Sequence, residues 1–141
     1  MGTSSLTAED IALHQLLASM RLWHETDYLS ALTLAGAAEE ILGKRLKKCG
    51  MEPSFVRWRN LIVTLAKSEG ETDPNIEKLV GDMLNSTRNT LKHFAGDEVI
   101  EIDVRKDCTE MIERAVSNHH QLTGIVLDEA LNFWAAARGP S

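Results

Sequence analysis

Aromatic side chains are scarce in this sequence, at 5% of 141 residues, whereas apolar residues reach 43% and are mostly Ala and Leu. That balance suits helix-on-helix packing around an aliphatic core better than it suits sheets. Cysteine is scarce too: Cys49 and Cys108 stand far apart, with no Cys-x-x-Cys and no clustered histidine. Neither a disulfide framework nor a zinc knuckle is suggested, and a reducing cytoplasm is the expected setting. Long hydrophobic runs are missing, the longest near-apolar stretch being Leu29 to Ala38, far too short to span a bilayer. The opening residues have neither a positive n-region nor an apolar h-region, so neither secretion nor a membrane partner is expected. Positive charge is in deficit, with 15 Lys and Arg against 21 Asp and Glu and a formal charge of −6. Non-specific binding to duplex DNA, which draws its affinity from neutralised phosphates, is therefore not expected.

What remains is the make-up of one helical domain. The length fits a single domain, residues 1 to 141, with a continuous core, and three prolines leave long stretches uninterrupted. No internal repeat, linker or low-complexity tract is present. The basic residues gather in Lys44-Arg45-Leu46-Lys47-Lys48 and Arg57-Trp58-Arg59, giving a basic zone on an acidic body.

Periodicity and capping signals predict an up-and-down, all-α bundle of five to six helices. Thr7 and Asp10 resemble a capping box opening a helix over about Ala8 to His24, with Ile11, Leu13, Leu16, Leu17, Met20 and Trp23 recurring at helical spacing. Asp27 can cap a second helix to about Lys48, whose small residues Ala31, Ala35, Gly36 and Ala38 allow a neighbour to come close. Pro53-Ser54 opens a third helix to about Lys67. Asp73-Pro74 predicts a restart, with Asp73 at the N-cap and Pro74 at the first helical position. That fourth helix carries Ile76, Leu79, Val80, Met83 and Leu84 and ends before Gly96-Asp97. Residues 98 to 104 alternate and suggest a short extended arm. A fifth helix from about Arg105 comes next, then a last one after Gly124 carrying Ile125, Leu127, Ala130, Leu131 and Trp134.

At the end of the fourth helix stands Arg88-Asn89-Thr90-Leu91-Lys92-His93. Arg-x4-His alone says little, since Arg114 and His119 repeat it. With Asn after the Arg, a chain of this composition would contain the pattern about 0.01 times by chance. Arg114 is followed by Ala115, lies mid-helix and reads as a coincidental match. A His can take either proton-transfer role near neutral pH. An Arg offers a planar set of donors matched to phosphate oxygens, and a neighbouring Asn can orient the His or bind a phosphate or sugar oxygen. Residues five apart on a continuous helix point about 140° apart. Arg88 and His93 therefore converge only if the helix frays near His93 or if two protomers bring their motifs together. In the structural alternative, Arg88 pairs with an acidic neighbour such as Asp82 or Glu98 and His93 caps the helix end.

The segment resembles the RX4–6H motif of the HEPN superfamily, in which a polar residue follows the Arg and the motif lies near a helix end. The small-residue stretch Leu32 to Leu42 is similar to the core helix of those bundles, and a further helix comes after the motif, as it does there. The resemblance implies a metal-independent endoribonuclease, of the kind that serves as a toxin or defence component. Arg88, Asn89 and His93 would be its catalytic residues, with RNA as substrate, a homodimer with both motifs in one cleft and no cofactor. It also implies an alternative: a non-catalytic protein- or nucleotide-binding module partnered by a nucleotidyltransferase-type antitoxin. Lys92 adds charge beside the motif, and Arg57 and Arg59 flank Trp58 as a further RNA-binding candidate, although a Trp beside Leu61 and Ile62 also suits packing. No Glu-x-x-His or His-x3-His pair offers a bundle metal site. Asp10 and His14, one turn apart, suggest a hydrogen bond rather than a metal.

Overall fold

The computed structural model describes residues 2–97 and 99–139. Among them the chain forms six helices and no strand: α1 (Ala8–His24), α2 (Tyr28–Lys48), α3 (Ser54–Ser68), α4 (Ile76–His93), α5 (Val104–Thr123) and α6 (Asp128–Arg138). It is an all-α helical bundle. α2 is the central element and packs chiefly on α1 and α5; α6 lies on α1, and α3 pairs with α4 against the α2 and α5 side.

Local chemistry accounts for most boundaries. Thr7 and Asp10 form a reciprocal capping box, each backbone N–H donating to the other's side chain at 3.0 Å. Asp27 caps α2 by accepting from the Ser30 N–H, and Gly124 ends α5 in the left-handed region at φ 73°. The core is largely aliphatic, with Leu16, Met20, Leu32, Leu42 and Ile112 in one cluster that also holds Trp23, which meets Phe133 edge to face. The Trp23 indole N–H donates to Thr109 Oγ1 at 2.9 Å.

Four expectations are corrected. α4 starts at Ile76 with Asn75 at its N-cap, because the Asp73 carboxylate accepts from the Asn75 N–H and spends its capping capacity on a preceding turn. α6 starts only at Asp128, leaving Ile125 and Val126 exposed in the connection and Ala130 and Phe133 as its buried residues. Residues 99–103 are irregular and Val104 already belongs to α5, so alternation in the stretch expected as an arm reflects no strand pairing; Glu98 lies outside the described residues. Asp10 turns back to Thr7, and no bond to His14 forms.

On α4 only Val80 is buried, while Leu79 and Met83 are half exposed. The inward face of the helix mixes partly buried Ile76, Leu84 and Leu91 with polar residues.

Candidate functional site

Those polar residues meet one carboxylate from α2. Glu39 lies in the inward register of Ala35, Ala38 and Leu42 and is only 4% exposed. Arg88 Nη1 of α4 donates to its Oε2 at 2.9 Å, and Arg114 Nη2 of α5 donates to its Oε1 at 3.1 Å. Arg114 also donates to Asn85 Oδ1 at 3.0 Å and to the Leu84 carbonyl at 3.2 Å, and its guanidinium lies over the Phe55 ring at 5.1 Å. Burial pulls the Arg114 guanidinium below the ordinary arginine value; the Glu39 carboxylate opposes that shift and the Arg88 charge adds to it.

Arg88 reaches Glu39 by lying across Gly36. A Cβ at position 36 would stand 2.6 Å from Arg88 Cδ, closer than two carbons can approach, and 3.1 Å from Cγ, a tight contact. The small-residue face of α2 therefore admits an arginine side chain at this level.

Behind the cluster, Asn118 is fully buried and joins three elements. Its Oδ1 accepts from the Ser54 N–H at 2.8 Å, fixing the start of α3, and its Nδ2 donates to the Glu39 carbonyl at 3.3 Å. Ser54 Oγ donates to the Arg114 carbonyl at 3.0 Å. This layer locks the three helices that carry Glu39, Arg114 and Phe55.

The motif residues divide between two environments. Arg88 is largely buried in the ion cluster; Asn89, Lys92 and His93 are exposed, and the side chains of Asn89 and His93 form no hydrogen bond with any described residue. α4 stays helical through His93 and its C-cap is Phe94, so within one chain Arg88 and His93 remain about 140° apart. Fraying does not bring them together. Arg88 and Lys92, one turn apart, border a groove between α2 and α4 with Thr33, Gly36 and Glu40. Of the two local acids proposed from the sequence, Asp82 is bound by Lys78 at 2.8 Å and not by Arg88, and Glu98 lies outside the described residues.

Arg57 and Arg59 point to different places. Arg57 Nη2 donates to Ser117 Oγ at 3.0 Å on α5, and Arg59 Nη2 pairs with Glu77 at 3.0 Å on α4. Neither borders the Arg88–Lys92 groove. Trp58 is 49% exposed, against the packing expected of it, and stands beside Ile62 and Met83 at the edge of a crevice.

Sequence reasoning missed Glu39, Asn85 and Arg114. An acid on an apolar stripe, at a register otherwise held by Ala and Leu, was the available signal for Glu39. The Arg114 contacts span 75 residues to Glu39 and 29 to Asn85, which no local pattern encodes.

Cys108 is buried, and burial together with the Asp27 charge pushes its thiol up to about 12, keeping it protonated. Among the described residues no group of three or more His, Cys, Asp or Glu is placed to hold a metal, and no helix is long and apolar enough to cross a membrane. Fold and site together define an all-α bundle with a buried Arg–Glu–Arg cluster beside an exposed Asn and His at a helix end. Comparison with protein-family models, with curated proteins and with solved structures gave no match.

Proposed function

We propose that this protein is a metal-independent endoribonuclease of the HEPN type, acting as a homodimer, of the kind that serves as a toxin or defence component. The observation that carries the reading is the division at the end of α4: Arg88 is fixed by Glu39 at the edge of a groove, while His93 and Asn89 stand in solvent with no partner among the described residues. Exposed groups without partners at a helix end can meet a substrate, and a positioned guanidinium can face a phosphate.

In this reading a base takes the proton of a ribose 2′-OH, whose oxygen attacks the adjacent phosphorus. The P–O5′ bond breaks, an acid protonates the departing 5′-oxygen, and the products are a 2′,3′-cyclic phosphate and a 5′-hydroxyl. His93 supplies acid–base chemistry, Arg88 stabilises charge on the phosphorane, Asn89 orients the His or a phosphate oxygen, and Lys92 holds a neighbouring phosphate. Because α4 remains wound through His93, the reading requires His93 of one copy to work with Arg88 of another.

The test is RNA cleavage in EDTA by wild type and by His93→Ala side by side. Cutting by wild type that disappears in the variant, with an unchanged circular dichroism spectrum, is expected. Cutting that needs a metal, or that survives the substitution, defeats the proposal.

A second reading, a non-catalytic module that binds a partner such as a nucleotidyltransferase-type antitoxin, draws support from a different surface. Trp58, Leu61 and Leu65 form an exposed stripe on α3, and Leu79 and Met83 are exposed on the adjoining α4. Exposed apolar stripes on neighbouring helices are a common mark of protein docking. This reading expects intact RNA under every condition and stable co-purification with a second protein.

A further inference from the structure

We propose that the cavity where α2, α3, α4 and α5 meet is a phosphate-binding site, taking the phosphate of a free nucleotide or of an RNA chain. The cavity measures about 210 Å³, enough for a phosphate group, and lies below the size of typical organic-ligand pockets.

Charge is the first argument. Arg88, Arg114, Lys44 and Lys47 border the cavity against Glu39 and Glu40, a surplus of two positive charges on a chain whose formal charge is −6. The innermost part is unbalanced by itself, since the single Glu39 carboxylate serves both arginines. A buried cation without its own counter-charge is costly, and an incoming anion relieves that cost.

An orphaned donor is the second argument. Arg114 is 7% exposed, and its Nε is buried with no hydrogen-bond partner. The start of α3 also lines the cavity, through Pro53 and Phe55, and carries no acidic residue in its first turn, with its Ser54 N–H already taken by Asn118 Oδ1. The positive end of that helix dipole, with no acid to offset it, adds to the attraction for an anion.

Access is the third. Lys44 and Lys47 are exposed at the rim; Lys44 is held only by a 3.8 Å solvent-facing contact with Glu40, and no described residue pairs with Lys47. Arg88 borders both this cavity and the α2–α4 groove that holds Lys92, so a chain lying in that groove can place a neighbouring phosphate in the cavity. The site itself needs no cleavage chemistry; only its RNA occupant draws on the nuclease reading.

The experiment uses the full chain and three probes without metal: inorganic phosphate, a 5′-mononucleotide, and a 2′-O-methyl oligoribonucleotide that cannot be cut. Phosphate should raise the melting temperature by a few degrees over chloride at equal ionic strength. Lys47→Glu should remove most of that rise, while Lys48→Glu, an equal charge change next along α2 that does not border the cavity, should keep it. Oligoribonucleotide binding should weaken at least tenfold in Lys47→Glu, with the slope of log K against log salt shallower by about 0.7. Tighter binding of the oligomer than of the mononucleotide identifies an RNA chain as the occupant; equal binding identifies a free nucleotide. A temperature rise of the same size in wild type and both variants is a general salt effect and overturns the proposal, as does wild type that binds none of the probes. Binding without cleavage sinks the nuclease reading alone, and cleavage with unaltered Lys47→Glu binding sinks this one alone.

Discussion

Glu39 divides its carboxylate between two arginines from different helices, Oε2 to Arg88 at 2.9 Å and Oε1 to Arg114 at 3.1 Å. One acid on α2 thereby sets the position of the motif arginine on α4 and ties it to α5.

Removing that acid should be expensive. Glu39→Ala leaves two largely buried guanidinium groups without a counter-charge and is expected to cost about 3–5 kcal/mol, the usual range for breaking a buried pair from one side. Urea denaturation measures it, and a loss below about 1 kcal/mol would show that the arginines escape to solvent.

Gly36→Ala separates positioning from stability. The new methyl displaces the Arg88 stem from α2, while Ala for Gly inside a helix returns roughly 0.5–1 kcal/mol. Stability should change little. On the nuclease reading, cleavage should fall at least tenfold, so wild-type cutting by this variant would argue against a role for Arg88 where it now lies.

Asn118 should behave as a structural keystone. Asn118→Ala strands the Ser54 N–H and removes the second bond to the Glu39 carbonyl, which keeps its partner within α2. Unsatisfied buried groups cost about 1–3 kcal/mol, and chemical denaturation should show a loss in that range or somewhat above it.

His119 gives the fold an acid sensitivity. Burial, then the neighbouring His120, holds its imidazole below the ordinary value of 6.5. The unfolded chain therefore takes up this proton at a higher pH than the folded one does. The stability linked to His119 is fully present above pH 6.5 and is lost progressively as pH falls from there through the lowered folded value. Denaturation midpoints tracked from pH 7.5 to 5 should drop less in His119→Gln than in wild type; parallel curves would remove His119 as the cause.

The apolar stripe on α3 predicts a change in association. Leu61 and Leu65 are 58% and 56% exposed, and Leu61→Lys with Leu65→Lys should lower the apparent mass in sedimentation if copies meet there. An unchanged mass places any dimer contact elsewhere.

Much of the fold was legible because its signals are local. The Thr7–Asp10 box, the Asp27 cap and the Gly124 stop each act within a few residues, and they bound α1, α2 and α5 where sequence reasoning puts them. The start of α4 was misread because an Asp such as Asp73 can cap either a turn or a helix, and here the turn through Asn75 takes it. The site was half legible. Arg88, Asn89 and His93 are marked by spacing, but the partner of Arg88 comes from 49 residues upstream. Arg114, a coincidence by pattern, belongs to the same cluster because tertiary packing brings α5 to Glu39.

On the nuclease reading, the uninterrupted winding of α4 through His93 has a consequence for dosage. An activity that must borrow its second half from another molecule grows faster than in proportion to the amount of protein. Output per molecule would fall on dilution, giving a low copy number its own safeguard and a rising one a threshold.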